Sequence, residues 1–294
     1  MSVAKIIAAV GYGREAEQLV RQANYIARCH GAKLELVHVV EALNVVAIPE
    51  AYGYIEIMPD AAKSKAIANK RLENIVQNAG VKEKGSKQVL RVGIPKNEII
   101  DYAKEMHAKL IIVGSHEKSF AEKILGSTAN AVLHKSPFNV LVTKMNITDK
   151  QTNVDIKKYK RILLAIEFMP EIEGVIEQAK EWAKNHNAQI SLVHVINRSP
   201  ILQMPLSEFE KEFVEKVDWQ YKQLINNYDL KPTSHELILG SPAREIARYA
   251  DMHNIDLIIM GSHGKSGLGL VFGSTANAVF HRATCDVLAV RLKD

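Results

Sequence analysis

The sequence predicts an α/β chain made of two tandem, open five-stranded parallel sheets, each with helices on both faces. Two observations carry this. The chain repeats itself at a domain-sized interval, and each copy alternates short β-branched runs with longer amphipathic ones. A third observation, a glycine-rich turn after the fourth strand-like run of the second copy, points to where such a sheet would hold a ligand.

The repeat comes first, because a missed repeat misassigns the whole fold. Lys5-Ile-Ile-Ala-Ala-Val10 aligns with Arg161-Ile-Leu-Leu-Ala-Ile166 at an offset of 156, and Leu36-Val-His-Val39 aligns with Leu192-Val-His-Val195 at the same offset. Past a variable segment the offset becomes 147, pairing Gly93-Ile-Pro95 with Gly240-Ser-Pro242. From Gly114 to Lys144 against Gly261 to Arg291, 15 of 31 positions are identical. A repeat of this length is a duplicated domain and not a solenoid unit. The expected boundaries are residues 1–145 and 160–294, joined by a polar, unperiodic linker at 146–159.

In the first copy, strands are expected near 3–10, 33–40, 87–92, 109–114 and 138–144, and helices near 14–30, 61–79, 95–107 and 127–135. In the second, strands fall near 160–167, 189–196, 234–239, 256–261 and 286–292, with helices near 171–186, 206–227, 242–254 and 274–282. Strands such as Lys109-Leu-Ile-Ile-Val113 are apolar without alternation, as expected when helices cover both faces of a parallel sheet. Ser241-Pro242 is a helix-start signal, with a side chain able to cap and a ring suited to the first helical position. Strand, helix and strand joined by right-handed crossovers give a doubly wound sheet.

Composition narrows the function classes. In 294 residues, 47% are hydrophobic and 24% charged, which excludes a disordered chain. No run reaches the roughly 18 apolar residues of a membrane span. The start, Met-Ser-Val-Ala-Lys, enters a strand with no secretory leader pattern, and Cys29 and Cys285 make no disulfide framework. A cytoplasmic protein is expected. The 38 basic and 33 acidic residues leave a net charge of +5, dispersed along helices. The densest basic cluster, Lys157 to Arg161, reads as solvated surface at a domain junction, not as a nucleic-acid site.

The fourth strand of the second copy ends in Met260-Gly261 and runs through Ser-His263-Gly264 to Gly273-Ser274-Thr275, which open a helix. Glycines let backbone approach a phosphate, and a helix start supplies amides and a positive dipole end. The plain alternative is a tight surface loop in which Ser274 caps the helix. Five glycines in thirteen residues after a strand favour a polyphosphate cradle. The loop fits neither a Walker loop nor a dinucleotide fingerprint. His38, His194, His116 and His263 show no convergent spacing with cysteines or carboxylates, so no metal site is expected. No nucleophile elbow or Ser-His-Asp arrangement is visible. The apolar segment Ala42–Tyr54 reads as a lid over its own pocket.

Gly261-Ser-His263-Gly264 followed by Gly273-Ser274 resembles the nucleotide-binding pattern of the universal stress protein family, and the resemblance covers nearly all of both halves in a tandem form. The second gap holds eight residues where the family has about nine. The resemblance implies a strand order of 3-2-1-4-5 and ATP, with Mg²⁺ as its usual companion, between the ends of strands one and four. It places phosphates and ribose on Gly261, Gly264, Gly273, Ser274 and Thr275, with His263 inside the loop. It sets Glu167 where the family usually has Asp, and the backbone of Val195 beside the base. It also implies antiparallel pairing of the two fifth strands as an internal pseudo-dimer, with a homodimer of chains as a further option.

The halves differ. The first keeps Gly114, Gly126 and Ser127 but has Glu117 in place of Gly264 and Gly11 in place of Glu167. A carboxylate beside phosphates repels them, so ATP is expected mainly in the second half. The expected function is a nucleotide-dependent stress regulator or binding module. The alternatives are a docking scaffold that binds no nucleotide and a slow ATP hydrolase.

Overall fold

The computed structural model describes residues 3–13, 15–41, 61–81, 86–119, 122–124, 126–145, 156–169, 171–198, 207–262 and 272–292. The Ala42–Tyr54 segment, His263, Gly264 and most of the linker lie outside them. Two compact units result: Met1–Glu117 with Gly126–Val132 and Met145–Ile156, and Lys118–Leu125 with Leu133–Lys144 and Lys157–Asp294.

The first unit holds β1 (Lys5–Ala9), α1 (Ala16–Cys29), β2 (Lys33–Val40), α2 (Ala61–Asn78), β3 (Ser86–Val92), α3 (Pro95–Glu105) and the body of β4 (Leu110–Ser119). β2 pairs in parallel with β3 and β1, and β1 with β4, giving the order β3-β2-β1-β4. Ile7, Leu36, Ile111 and Ile112 are fully buried, which is why these strands are apolar on both faces. The polar run after Val113 carries no strand pattern, yet β4 extends to Ser119 and a short β5 (Glu122–Ile124) follows.

After α4 (Ser127–Lys135) comes β6 (Asn139–Met145), the fifth strand of the first repeat, which belongs to the second unit by its packing. That unit continues with β7 (Arg161–Ile166), α5 (Ile172–His186), β8 (Gln189–Asn197), α6 (Glu208–Asn227), β9 (Ser234–Gly240), α7 (Pro242–Met252), β10 (Leu257–Gly261), α8 (Ser274–Arg282) and β11 (Asp286–Val290). Its parallel order is β9-β8-β7-β10-β11, the 3-2-1-4-5 arrangement. β6 adds antiparallel to β11, with Val142 opposite Val287 and Leu141 opposite Leu288. The fifth strands therefore pair as the resemblance implied.

Helix starts follow chain chemistry with one correction. Ser241 is the N-cap of α7 and Pro242 its first residue, but no side chain caps the helix. The residue that matters there is Gly240, at φ +157, where an added Cβ would meet Glu245 Cγ at 2.8 Å. Its counterpart Gly93 has φ +150 and packs under Glu98 in the same way. Only glycine suits that conformation and that approach. Each glycine turns the chain from the third strand into the helix that lines one wall of the cleft described below.

The basic cluster needs a second correction. Lys158, Lys160 and Arg161 are exposed, but Tyr159 is fully buried and Lys157 is half-buried. Both reach Asp286, which has no solvent exposure: Lys157 Nζ lies 2.8 Å from Oδ1, and Tyr159 Oη donates to Oδ2 at 2.8 Å. The Lys144 amide also donates to Oδ1, at 2.9 Å. A buried carboxylate is tolerated only when so paired. The arrangement ties the end of the linker to the start of β11 and the end of β6. Beside it, burial, reinforced by the Asp286 charge, pushes the Cys285 thiol up to about 12, so it stays protonated and inert at neutral pH.

Replacing Asp286 by Ala removes the carboxylate that Lys157, Tyr159 and the Lys144 amide share, and is expected to destabilise the second unit by about 3–5 kcal/mol. Urea unfolding followed by Trp fluorescence checks this, since the Trp182 ring lies tilted against Tyr159 with centroids 5.7 Å apart. An unchanged midpoint would contradict it.

Candidate functional site

In a doubly wound sheet a crevice opens at the carboxyl edge where the strand order reverses, because the connections on either side leave toward opposite faces. In the second unit the reversal falls between β7 and β10, which are paired directly, Ala165 opposite Met260. A cleft of about 610 Å³ sits there. Its walls come from the ends of β7 (Ile166, then Glu167 and Phe168), β8 (His194 to Asn197) and β10 (Met260 and Gly261). The start of α8 contributes Gly273, Ser274 and Thr275, while Pro242 and Ile246 of α7 and Phe213, Val217 and Gln220 of α6 close the sides.

The start of α8 has the chemistry of an anion seat. Gly273 is its N-cap, so Ser274 does not cap the helix, and no side chain does. The Gly273 amide donates to Ser262 O at 2.9 Å, and Asn277 N–H to Gly273 O at 2.9 Å. The following amides, those of Ser274, Thr275 and Ala276, are the ones an α-helix leaves without internal partners. Together with the dipole they favour a bound anion. Among the described lining residues there is no lysine or arginine, and Glu167 is the one acidic side chain. Among the described lining residues, positive potential comes from the backbone amides at the start of α8.

Of the residues singled out in the sequence, Gly261, Gly273, Ser274, Thr275, Glu167 and Val195 all line this one cleft. His263 and Gly264 lie outside the described residues. Sequence reasoning passed over the aromatic and aliphatic wall made by Phe168, Phe213, Val217 and Met169, and set His194 aside as structural. A usable signal was present, since Phe213, Val217 and Gln220 share one face of α6 at helical spacing.

The first unit has a cleft at the equivalent place, of about 330 Å³, lined by Gly11, Gly114, Gly126, Ser127 and Thr128 among others. It carries two carboxylates, Glu15 and Glu41, and again no described basic side chain. No α2 residue lines it.

One interaction is duplicated in both clefts. His38 Nδ1 lies 2.7 Å from Val10 O, and His194 Nδ1 lies 2.8 Å from Ile166 O. A carbonyl only accepts, so Nδ1 carries the proton in each case. The bond ties the middle of the second strand to the exit of the first. No described group of three or more His, Cys, Asp or Glu side chains is arranged to hold a metal.

These features define a doubly wound α/β protein with a crevice at the carboxyl edge of the sheet in each unit. Residues 3–144 and 158–291 each match the profile of the Universal stress protein family. The chain belongs to that family. It is 35% identical over 142 residues to universal stress protein A homolog 1 of Coxiella burnetii, which spans 46% of this chain and 99% of the relative. A universal stress protein of Methanocaldococcus jannaschii is 28% identical over 165 residues, 53% of this chain and 96% of that protein. A universal stress protein structure from Archaeoglobus fulgidus covers 99% of both chains with a TM-score of 0.70 and 19% identity, a likeness of fold.

Burial holds the His38 pKa below its usual 6.5, against the opposing effect of its bond to Val10. Below pH 6.5 the unfolded chain therefore takes up a proton that the folded chain resists, so stability falls as the pH drops from there through the folded value. Urea midpoints of the wild type are expected to decline more steeply between pH 7 and 5 than those of His38→Asn. Parallel pH profiles for the two proteins would contradict this.

Proposed function

We propose that the chain binds ATP through its second cleft, acting in stress response as a nucleotide-responsive binding module and not as an efficient enzyme. The observation that carries this reading is the uncapped start of α8, with Ser274 and Thr275, in a 610 Å³ cleft that also presents an aliphatic and aromatic wall of Phe168, Met169, Phe213 and Val217. That volume lies within the range of about 300–1,000 Å³ typical of small-molecule sites. Phosphates suit the amide end, with Gly261 and the Gly264 loop alongside. A purine suits the wall near Val195, and Glu167 suits a ribose hydroxyl. Mg²⁺ would supply the positive charge that the described lining lacks.

The first cleft is the weaker nucleotide site in this reading. It is about half the size, carries Glu15 and Glu41, and has a strand continuing where the second half has its glycines. Like charges near a triphosphate lower affinity. Two free cysteines fit the reducing cytoplasm, where we place the protein. Among the described residues no helix is long and apolar enough to cross a membrane.

Occupancy acts on partners or assembly only through differential affinity for two states of the chain. Hydrolysis is not required for that. Glu167 is the one described carboxylate in the second cleft, and it serves here as a ligand contact and not as a general base.

Titrating the nucleotide-stripped full chain with Mg·ATP in a calorimeter is expected to give one saturable site per chain. Gly264→Glu, which copies the first half at position 117, should weaken it at least tenfold. An absence of binding would favour the docking-scaffold alternative. Release of phosphate above background, lost in Glu167→Gln, would make the protein a hydrolase.

A further inference from the structure

The two clefts differ in size by nearly a factor of two, and one aromatic position is placed differently in them. At the repeat offset of 156, Tyr12 corresponds to Phe168, and His38 to His194. Phe168 lines the second cleft, whereas Tyr12 does not line the first.

Tyr12 is held elsewhere. Its ring lies against that of His38, tilted at 30° with centroids 3.8 Å apart. Its hydroxyl donates to the backbone carbonyl of Ala68 in α2 at 2.9 Å. The Arg71 guanidinium, one turn further along α2, lies 5.5 Å from the ring centroid. Three contacts thus clamp the exit of β1 to α2 across the edge of β2. Phe168 has no hydroxyl, so it cannot bond to a helix carbonyl. Its ring lies 4.7 Å from His194 at the wider angle of 58° and meets α6 through an edge-on contact with Tyr221, centroids 6.5 Å apart.

The helices correspond closely enough to say what the clamp covers. The hydrogen bonds that end α2, Ala79 to Ile75, Gly80 to Gln77 and Val81 to Val76, recur at an offset of 149. They become Tyr228 to Leu224, Asp229 to Asn226 and Leu230 to Ile225. Ala68 therefore corresponds to Val217. The carbonyl that Tyr12 grips belongs to the counterpart of a residue that lines the open cleft of the second unit. Where Phe168 stands, Phe168, Phe213, Val217 and Gln220 all line the cleft, and the part of it they border is called the annex below. Where Tyr12 stands, no described α2 residue lines the cleft.

The geometry points to Tyr12 as a latch that closes the ring-binding end of the first cleft, and to Phe168 as the substitution that opens the same space in the second. The annex so opened takes an uncharged planar ring. Its walls are aliphatic and aromatic, offering dispersion and offset stacking, with Gln220 as the amide donor and acceptor at the rim. That the ring is the purine of a nucleotide rests on the function proposed above. The latch itself does not. Position 12 or 168 is thus a specificity-determining residue, acting by releasing or holding the helix that forms the annex wall.

Two probes separate the claims, both titrated into the full chain: prodan, an uncharged naphthalene fluorophore, and Mg·ATP. The wild type is expected to bind one prodan per chain. Tyr12→Ala, at a 38% exposed position that tolerates truncation, should bind two. Tyr12→Phe, which removes only the hydroxyl bond to Ala68, should show a second site at least tenfold weaker than the first. Phe168→Tyr should weaken the original site at least tenfold. Prodan stoichiometry that ignores Tyr12→Ala in a variant of unchanged circular dichroism overturns the latch, as does a wild type that binds no prodan. Prodan binding that follows this pattern in a chain that binds no ATP upholds the latch and rejects the nucleotide reading. ATP binding with unresponsive prodan stoichiometry does the reverse.

Discussion

The pairing of β7 with β10 in the second unit governs what this protein can do. The two strands lie side by side, yet one leads outward to β8 and β9 while the other leads to β11. Their connections must leave on opposite faces, so the carboxyl edge cannot be sealed by a single loop. What fills the gap is the start of α8, whose first amides no side chain caps. An anion seat therefore arises from topology together with a glycine at the N-cap, without any basic side chain among the described lining.

The same topology is present in the first unit, so the differences between the clefts come from a few side chains. Gly11 replaces a carboxylate at the β1 exit while Glu15 and Glu41 bring two elsewhere along the wall. Tyr12 bonds to the Ala68 carbonyl of α2, whereas Phe168 lines the second cleft together with Phe213, Val217 and Gln220 of α6. Duplication followed by such changes leaves the two halves with clefts of different size and lining. The histidine bond to the first-strand exit survives in both halves at 2.7 and 2.8 Å, which marks it as part of the scaffold.

Much of this was legible because the repeat doubled every signal. The helix expected at 95–107 forms as Pro95–Glu105, set by proline at its first position, and the one expected at 274–282 forms over those residues. The strands of both halves lie within a few residues of their apolar runs, save β4, whose extension to Ser119 carries polar residues with no strand pattern. Six of the eight residues expected around the nucleotide converge on one cleft, since a switch point gathers loops that are distant in sequence. The Asp286 network was illegible for the opposite reason. Nothing local marks Lys157, in a basic run, as the partner of an acid 129 residues away. Phe168 and Tyr12 were equally silent when read singly. Only the repeat alignment shows them to be one position with two outcomes.

The central claim is that ligand space belongs to the second half. Photolabelling the full chain with 8-azido-ATP and Mg²⁺, followed by peptide mapping, tests it most directly. The account predicts label confined to peptides from β7 to α8, competed away by unlabelled ATP. Equal labelling of peptides around β1 and α4, or no competable label in either half, would contradict it.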